Sequence, residues 1–327
     1  MTRRHDARKG LISKKLGLCL VGPGGIAGMH MRALGALDVC DNLWVVGDIP
    51  DATAHFAQEW GFSQATDDLA APLSDSSVDL VYVTSPNALH ATHASAALRA
   101  GKHVAVEIPA ALTLADAEML SHLSTTVDRR VLVCHTMRSY PAFRALRDQI
   151  AAGELEITQL LSIYAIKRRH NENWTGGTRA WVDNLLWHHG AHVVDAALWV
   201  LGMPEPLEVS ARAGQRNREF GMTMDLAIGF ATEQRTLVSH VLTYNSASDL
   251  SEWRLVTDRE LMIVADGTLT TIDGKLLVAG SEWWDLREQD GAIIAAIRNG
   301  EPSDFDLEAV MPSMRLLDRC QQLSGVV

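Results

Sequence analysis

The chain has 327 residues, 47% apolar and 21% charged, a balance that excludes a disordered chain, a collagen and a small disulfide-stapled fold. No apolar run reaches the roughly 18 residues of a membrane span, and the length allows two domains, each with its own core. Net charge is −11, but residues 1–15 carry six Lys and Arg against one Asp, so the other 312 residues carry −16. An acidic body argues against nucleic acid or an anionic membrane as a partner, and the basic leader, with no apolar segment after it, reads as a solvated tail and not a secretory signal.

In chain order, the first 135 residues alternate short apolar runs with helix-spaced segments. The runs at 16–22, 43–48, 78–85, 102–109 and 129–135 are rich in Val and Leu and predict strands buried on both faces. Segments 26–37, 52–60, 90–101 and 113–123 have helical spacing, the last opened by Thr113 with Asp116 and Glu118. Such alternation predicts an α/β, doubly wound parallel sheet. Beyond about residue 140, segments 158–166, 207–213, 223–231, 235–244 and 252–257 follow one another with partial apolar alternation. This pattern predicts an α+β unit with a large, open, mostly antiparallel sheet covered on one face. One helical stretch interrupts at 183–201, and two more, 288–300 and 307–323, close the chain. The expected organisation is a tail (1–15), a dinucleotide-binding domain (16–137) and a substrate-binding and oligomerisation domain (138–327). Cys19, Cys40, Cys134 and Cys320 stand far apart, as free thiols in a reducing cytoplasm would.

The first predicted strand runs into Val21-Gly22-Pro23-Gly24-Gly25-Ile26-Ala27, a G-x-G-x-x-A loop that opens a helix. Gly22 allows the tight turn and Gly24 lets the backbone approach a pyrophosphate. The small Ala27 permits close helix–strand packing, and the N–H groups at Gly25 and Ile26 face the anion. After the first strand of such an array, the loop marks a Rossmann nucleotide-binding domain. Asp48, at the end of the second strand, lies 24 residues beyond Gly24, where an acid would bond the adenine ribose. Against the 2′-phosphate of NADP it would be repulsive by about 3 kcal/mol per charge product at about 5 Å. That favours NAD. Counting back from Gly61, however, puts Gly47 where many relatives of this fold carry the acid, so NAD and NADP both stay open.

Thr84-Ser85-Pro86-Asn87-Ala88-Leu89-His90, followed by Ala100-Gly101-Lys102-His103-Val104-Ala105-Val106-Glu107-Ile108-Pro109, resembles the glucose–fructose oxidoreductase/inositol dehydrogenase (Gfo/Idh/MocA) family. There a T-P-N-x-x-H loop precedes A-G-K-H-V-x-x-E-K-P. The resemblance implies a nicotinamide-dependent dehydrogenase in which Ser85, Pro86, His90, Glu107 and Ile108 line the ribose and nicotinamide side of the cofactor. It also implies a homodimer or homotetramer built through the C-terminal sheet. The family's lysine, which contacts the ribose and polarises the substrate hydroxyl, is Ile108 here, and isoleucine has neither donor nor charge. A second block comprises His135-Thr136-Met137-Arg138, Lys167-Arg168-Arg169-His170-Asn171, Arg179-Ala180-Trp181 and Leu185-Leu186-Trp187-His188-His189-Gly190-Ala191-His192-Val193-Val194-Asp195. It resembles the branch of the family that oxidises the cyclic hemiacetal of 4-carboxy-2-hydroxymuconate 6-semialdehyde to 2-pyrone-4,6-dicarboxylate in aromatic degradation, and implies NADP.

Across the broader family an Asp four residues before a His serves the reacting hydroxyl, and those positions are His188 and His192. On a regular helix they share a face, continued by Asp195. Imidazole suits removal of a hydroxyl proton near neutral pH. His188 and His192 are therefore the candidate catalytic pair, one taking the proton and the other bonding the substrate, with Asp195 orienting a ring or holding the helix. No H-E-x-x-H motif and no third ligand accompany them, so no metal is expected. Arg138, Arg168, Arg169 and Arg179, together with His189, are candidate clamps for a carboxylated small molecule. The alternatives are a sugar, polyol or dihydrodiol dehydrogenase of the same family and a non-catalytic, cofactor-sensing regulator.

Overall fold

The computed structural model describes residues 15–168, 170, 184–282 and 285–326. The expected tail up to residue 14, and the candidate clamps Arg169 and Arg179, lie outside the described residues.

The N-terminal part runs β1 (Leu16–Val21), α1 (Gly25–Leu37), β2 (Cys40–Val46), α2 (Pro50–Trp60), β3 (Gln64–Thr66) and α3 (Ala70–Ser74). It continues with β4 (Leu80–Val83), α4 (His90–Arg99), β5 (His103–Val106), α5 (Leu114–Val127) and β6 (Val131–Val133). Among the described residues these strands form one parallel sheet in the order β3-β2-β1-β4-β5-β6. Leu18, Cys19 and Leu20 are all fully buried because helices cover both faces, which is why the strands read as unbroken apolar runs. α4 and α5 cover one face with Ala94, Ala97, Leu98, Ala117 and Leu120. α1 and α2 cover the other with Ala27, Met31, Leu34, Phe56 and Ala57. Thr113 caps α5 by accepting a bond from the Asp116 N–H at 3.1 Å, as its sequence predicts. β3 was not anticipated: it is three residues long and sits at the sheet edge with two of them exposed, so it carries no apolar signal.

After β6 come α6 (Pro141–Ala151), β7 (Ile157–Lys167), a π-helical turn (Leu186–Gly190) and α7 (Ala191–Val200). The second sheet continues through β8 (Leu207–Ala213), a small hairpin of β9 (Arg216–Asn217) and β10 (Met222–Thr223), β11 (Asp225–Ala231) and β12 (Leu237–Thr243). It ends with β13 (Asn245–Thr257), β14 (Leu261–Ala265), β15 (Thr268–Thr271) and β16 (Leu276–Val278), before α8 (Arg287–Asn299) and α9 (Leu307–Ser324). Its order is β16-β15-β14-β13-β7-β12-β11-β8, antiparallel except where β12 pairs with β7. β12 alternates exposed and buried residues along its length, as a sheet with one open face requires. β14 to β16, beyond the last strand anticipated, extend this sheet at one edge.

α8 returns to the first sheet. Its Ile293, Ile294 and Ala296 join the cluster of Leu18, Leu20, Met31 and Leu34, so the parallel sheet is completed by residues far beyond the expected division at 137. α7 is fixed by a buried ion pair. Arg138, in the turn after β6, donates to Asp195 of α7 from Nε at 2.8 Å and from Nη2 at 2.6 Å. Ser313 of α9 adds a bond to Asp195 at 2.7 Å, and Arg138 Nη1 donates to the carbonyl of Asp304. This corrects the expectation of Arg138 as a substrate clamp: its guanidinium is enclosed and its charge is spent on Asp195. Asp195 in turn holds the helix, and the Arg138 charge keeps its carboxyl below the usual carboxylate range despite burial. Arg138→Met should lower unfolding free energy by about 3–5 kcal/mol, because it strands a buried carboxylate; a urea-denaturation change under about 1 kcal/mol would show the pair to be dispensable.

Candidate active site

The first element of the site is the turn from β1 into α1. Gly22 has φ +95°, and a Cβ there would stand 2.5 Å from Ser85 N and Cα, so only glycine lets the two strand-end loops meet. Gly24 has nothing within 4 Å of where its Cβ would be. That open space is what a pyrophosphate would use. The first N–H groups of α1, from Gly25 and Ile26, have no partner within the helix and point to the same side. These residues fit a dinucleotide. Asp48 is exposed just past β2. Gly47 cannot carry the acid in its place, because a Cβ would collide with Thr53 Oγ1 and come within 2.8 Å of Pro23 Cγ and Cδ. Any carboxylate offered to the ribose from this loop therefore comes from Asp48.

The loop after β4 and the end of β5 form the next wall. Pro86 is exposed, while Ser85 is buried and its Oγ lies 2.9 Å from His93 Nδ1. His90 lies behind the wall. It is 2% exposed, with Nδ1 2.8 Å from the Pro109 carbonyl and Nε2 2.7 Å from the Ser85 carbonyl. It shapes the cleft by tying two backbones together, which corrects the expectation that its side chain lines the cofactor. Ile108 is 6% exposed and belongs to the main core cluster, so the position of the family's lysine is held by an inward apolar side chain.

The second element is the segment before α7. Asn184 Oδ1 accepts from the N–H groups of Leu186 at 3.0 Å and Trp187 at 3.2 Å, starting the turn. The Gly190 N–H then reaches the Leu185 carbonyl five residues back, at 2.8 Å. This wide π turn displaces the regular helical phase. It brings the rings of His188 and His189 to 4.0 Å centroid separation, with each 6.4 Å from His192. The sequence placed His188 and His192 on a common face and His189 among the substrate clamps; the fold gathers all three rings.

Two tyrosines of the second sheet hold His189. Tyr164 stacks on it at 5.1 Å, and Nδ1 of the ring lies 2.5 Å from Tyr244 Oη. The Arg168 guanidinium lies over the Tyr244 ring at 4.8 Å, placing a cation beside the imidazoles. Sequence reasoning missed Tyr164, Tyr244 and His135. The tyrosines sit within β-strand patterns that explain them as sheet residues, and His135 is a single residue at a strand end.

Burial sets the charge of the cluster. His192 is lowered to about 3, first by burial and then by the neighbouring His188 and His135. His135 is lowered to about 4, mainly by burial, against the pull of Asp195 3.2 Å away. Both rings are therefore neutral at pH 7. Glu107, in contrast, is held below the usual carboxylate range despite burial, chiefly by its bond to His30.

Family comparison agrees with this geometry. The model described as "Oxidoreductase family, NAD-binding Rossmann fold" matches residues 16–135, and "Bacterial oxidoreductases, C-terminal" matches residues 141–278. The 4-carboxy-2-hydroxymuconate-6-semialdehyde dehydrogenase of Sphingobium sp. is 31% identical over 306 residues, 92% of this chain and 96% of that protein. The chain belongs to the Gfo/Idh/MocA oxidoreductase family. The scyllo-inositol 2-dehydrogenase (NADP(+)) of Bacillus subtilis is 26% identical over 58% of this chain and 54% of its own length. Among solved structures, levoglucosan dehydrogenase in complex with NADH and levoglucosan superposes with TM-score 0.83 at 16% identity, covering 95% of this chain and 98% of that one. An oxidoreductase from Thermotoga maritima gives TM-score 0.84 at 19% identity, with 96% and 98% covered. As a Gfo/Idh/MocA member the protein is an NAD(P)-dependent oxidoreductase.

Two outcomes follow from the geometry. Gly24→Val should leave the melting temperature unchanged, since the space is empty of protein atoms, and weaken NAD(H) binding roughly tenfold or more by blocking the pyrophosphate; unaltered affinity by fluorescence titration would move the cofactor elsewhere. The His192 ring proton shifts should stay flat from pH 8 to about 5 in an NMR titration, given a folded-state value of about 3. The sign for stability follows. The unfolded chain takes up protons below about 6.5 and the folded ring does not, so stability falls as pH drops from there towards 3.

Proposed function

We propose that this oxidoreductase oxidises the cyclic hemiacetal form of 4-carboxy-2-hydroxymuconate 6-semialdehyde to the lactone 2-pyrone-4,6-dicarboxylate. The observation that carries the reading is the imidazole cluster of His188, His189 and His192 with the Arg168 cation at its edge, on the second-sheet side of a dinucleotide cradle. The similar Sphingobium enzyme, named for the semialdehyde, supports it. In the reaction the hydroxyl O–H bond and the C–H bond on the same carbon break and a C=O bond forms. The bound nicotinamide supplies the hydride acceptor. The chain's own residues must take the proton and hold the carboxylates.

His188 is the proton acceptor in this reading. A proton on His192 would place a cation where burial and two further imidazoles oppose it, so His192 serves as a neutral hydrogen-bond partner to the same oxygen. Arg168 grips a carboxylate, the contact a neutral polyol would not need. Ile108 fits this substrate as well. A hemiacetal carbon already bears a second oxygen that stabilises the developing positive charge, so oxidation to a lactone asks less of a polarising lysine.

His188→Asn should reduce the chemical step at least about 100-fold, and His192→Asn should reduce it by less; near-normal turnover in both variants would remove the pair from the mechanism. Arg168→Met should raise KM for the carboxylated hemiacetal about tenfold, equal to the loss of one charged hydrogen bond, with kcat little changed. Equal turnover of wild type and Arg168→Met on an uncharged polyol, with none on the hemiacetal, would redirect the substrate to that class. Assays with NAD and NADP separately should favour NAD, because the exposed Asp48 just past β2 would repel a 2′-phosphate placed beside it.

The open face of the second sheet carries Leu161 and Ile163 of β7 beside Leu237 and Val241 of β12, all more than 40% exposed. Val241 and Ile163 are register partners. An apolar patch on two adjacent inner strands is self-complementary under a two-fold axis, and its occupant in this reading is a second copy of the chain.

A further inference from the structure

Behind the cradle lies a charged chain that the proposed chemistry does not use. His30, on α1, is fully buried. Its Nδ1 stands 3.0 Å from both carboxylate oxygens of Asp290, itself fully buried on α8. Its Nε2 stands 2.7 Å from Glu107 Oε1. Asp290 also accepts from Tyr82 Oη at 2.7 Å and from Gln289 Nε2 at 3.2 Å, and Glu107 Oε2 accepts from the Ile108 N–H at 3.1 Å. A neutral imidazole donates from one nitrogen only. With an ionised carboxylate on each side, this ring satisfies both only as an imidazolium. Two carboxylates and one imidazolium leave one net negative charge, and of the three side chains only Glu107 reaches solvent, at 14% exposure. On its other side Glu107 feels His192 and His90. With isoleucine at 108, the neighbouring residue offers it no cation.

We propose that His30 and Asp290 are positioning residues that hold Glu107 as a fixed, ionised carboxylate in the cleft wall, where its negative charge favours arrival of the substrate's proton on the imidazole cluster. The inference rests on the roles given above to His188, as proton acceptor, and to His192, as neutral hydrogen-bond partner at the same oxygen. Asp290 comes from α8, so the C-terminal part of the chain reaches the reaction by pinning the ring that pins the carboxylate. The groups facing His30 are Glu107 at the end of β5, Asp290 on α8, and Tyr82 of β4, whose ring lies 4.6 Å away. Cys134, 3.4 Å from Tyr82 Oη just past β6, completes the set. The flanking acids raise His30 to about 10 against its burial, and neither Tyr82 nor Cys134 competes for the charge, since burial keeps both protonated.

The test uses the whole chain, without substrate or cofactor first. Nitrogen-15 NMR should find both His30 ring nitrogens protonated at pH 8, and Asp290→Asn should bring its titration down by at least one pH unit. Glu107→Gln should likewise bring the His30 titration down in the same spectra. In turnover of the hemiacetal, His30→Gln, Asp290→Asn and Glu107→Gln should each lower kcat roughly tenfold with KM nearly unchanged, and Asp290→Glu should restore most of it. A neutral His30 at pH 8, or a His30 titration indifferent to both Asp290→Asn and Glu107→Gln, overturns the inference whatever the enzyme turns over. Titrations that behave as stated, in a protein inactive on the hemiacetal, leave this arrangement standing and remove only the substrate.

Discussion

The contact between Arg138 and Asp195 fixes where α7 and the imidazoles ahead of it lie. One partner follows the last parallel strand and the other lies on α7, and both charges are enclosed. Two parallel N–H···O bonds fix distance and direction together. Once that pair forms, the π turn ahead of α7 has one place to go, and its imidazoles come to the edge of the nucleotide sheet. Ser313 on α9 and His135 beside the pair extend the same junction. Dissolving a buried pair of this kind leaves a bare charge in a dry interior, so the junction holds or fails as a unit.

Around this joint the protein sets charge by burial. His192 and His135 are driven neutral because the protein around them excludes water. His30 is driven the other way because acids flank both nitrogens. Three histidines within one region thus hold opposite protonation states with no change in residue type. The difference lies in which partners the fold supplies: imidazoles for His192, a compensated aspartate for His135, two uncompensated acids for His30. Arg168 lies with its guanidinium over the Tyr244 ring, 4.8 Å from the centroid.

The replacement of the family's lysine by Ile108 fits the same arrangement. A buried apolar side chain there keeps the end of β5 in the core cluster, while Glu107 one residue earlier turns to His30. Polarity is moved one position along the chain and one layer inward.

The amino-acid sequence by itself determined the nucleotide half. Unbroken apolar runs such as Leu18-Cys19-Leu20, alternating with helix-spaced segments, read as strands covered on both faces, and Gly22 and Gly24 mark a turn and a gap that other residues would fill. It also pointed to His188, His192 and Arg168, because imidazole pairs and an arginine after a strand are local chemical signals. Only tertiary structure decided which partner each charge meets. Arg138 and Arg168 look equivalent in the chain, yet one meets Asp195 and the other meets an aromatic ring beside the imidazoles. His189 joins the cluster through a π turn that helical periodicity does not foresee. His30 meets Asp290 across a separation of 260 residues. Such pairings depend on which surfaces pack together, and burial then sets the protonation of each group; neither is a property of a residue and its neighbours in sequence.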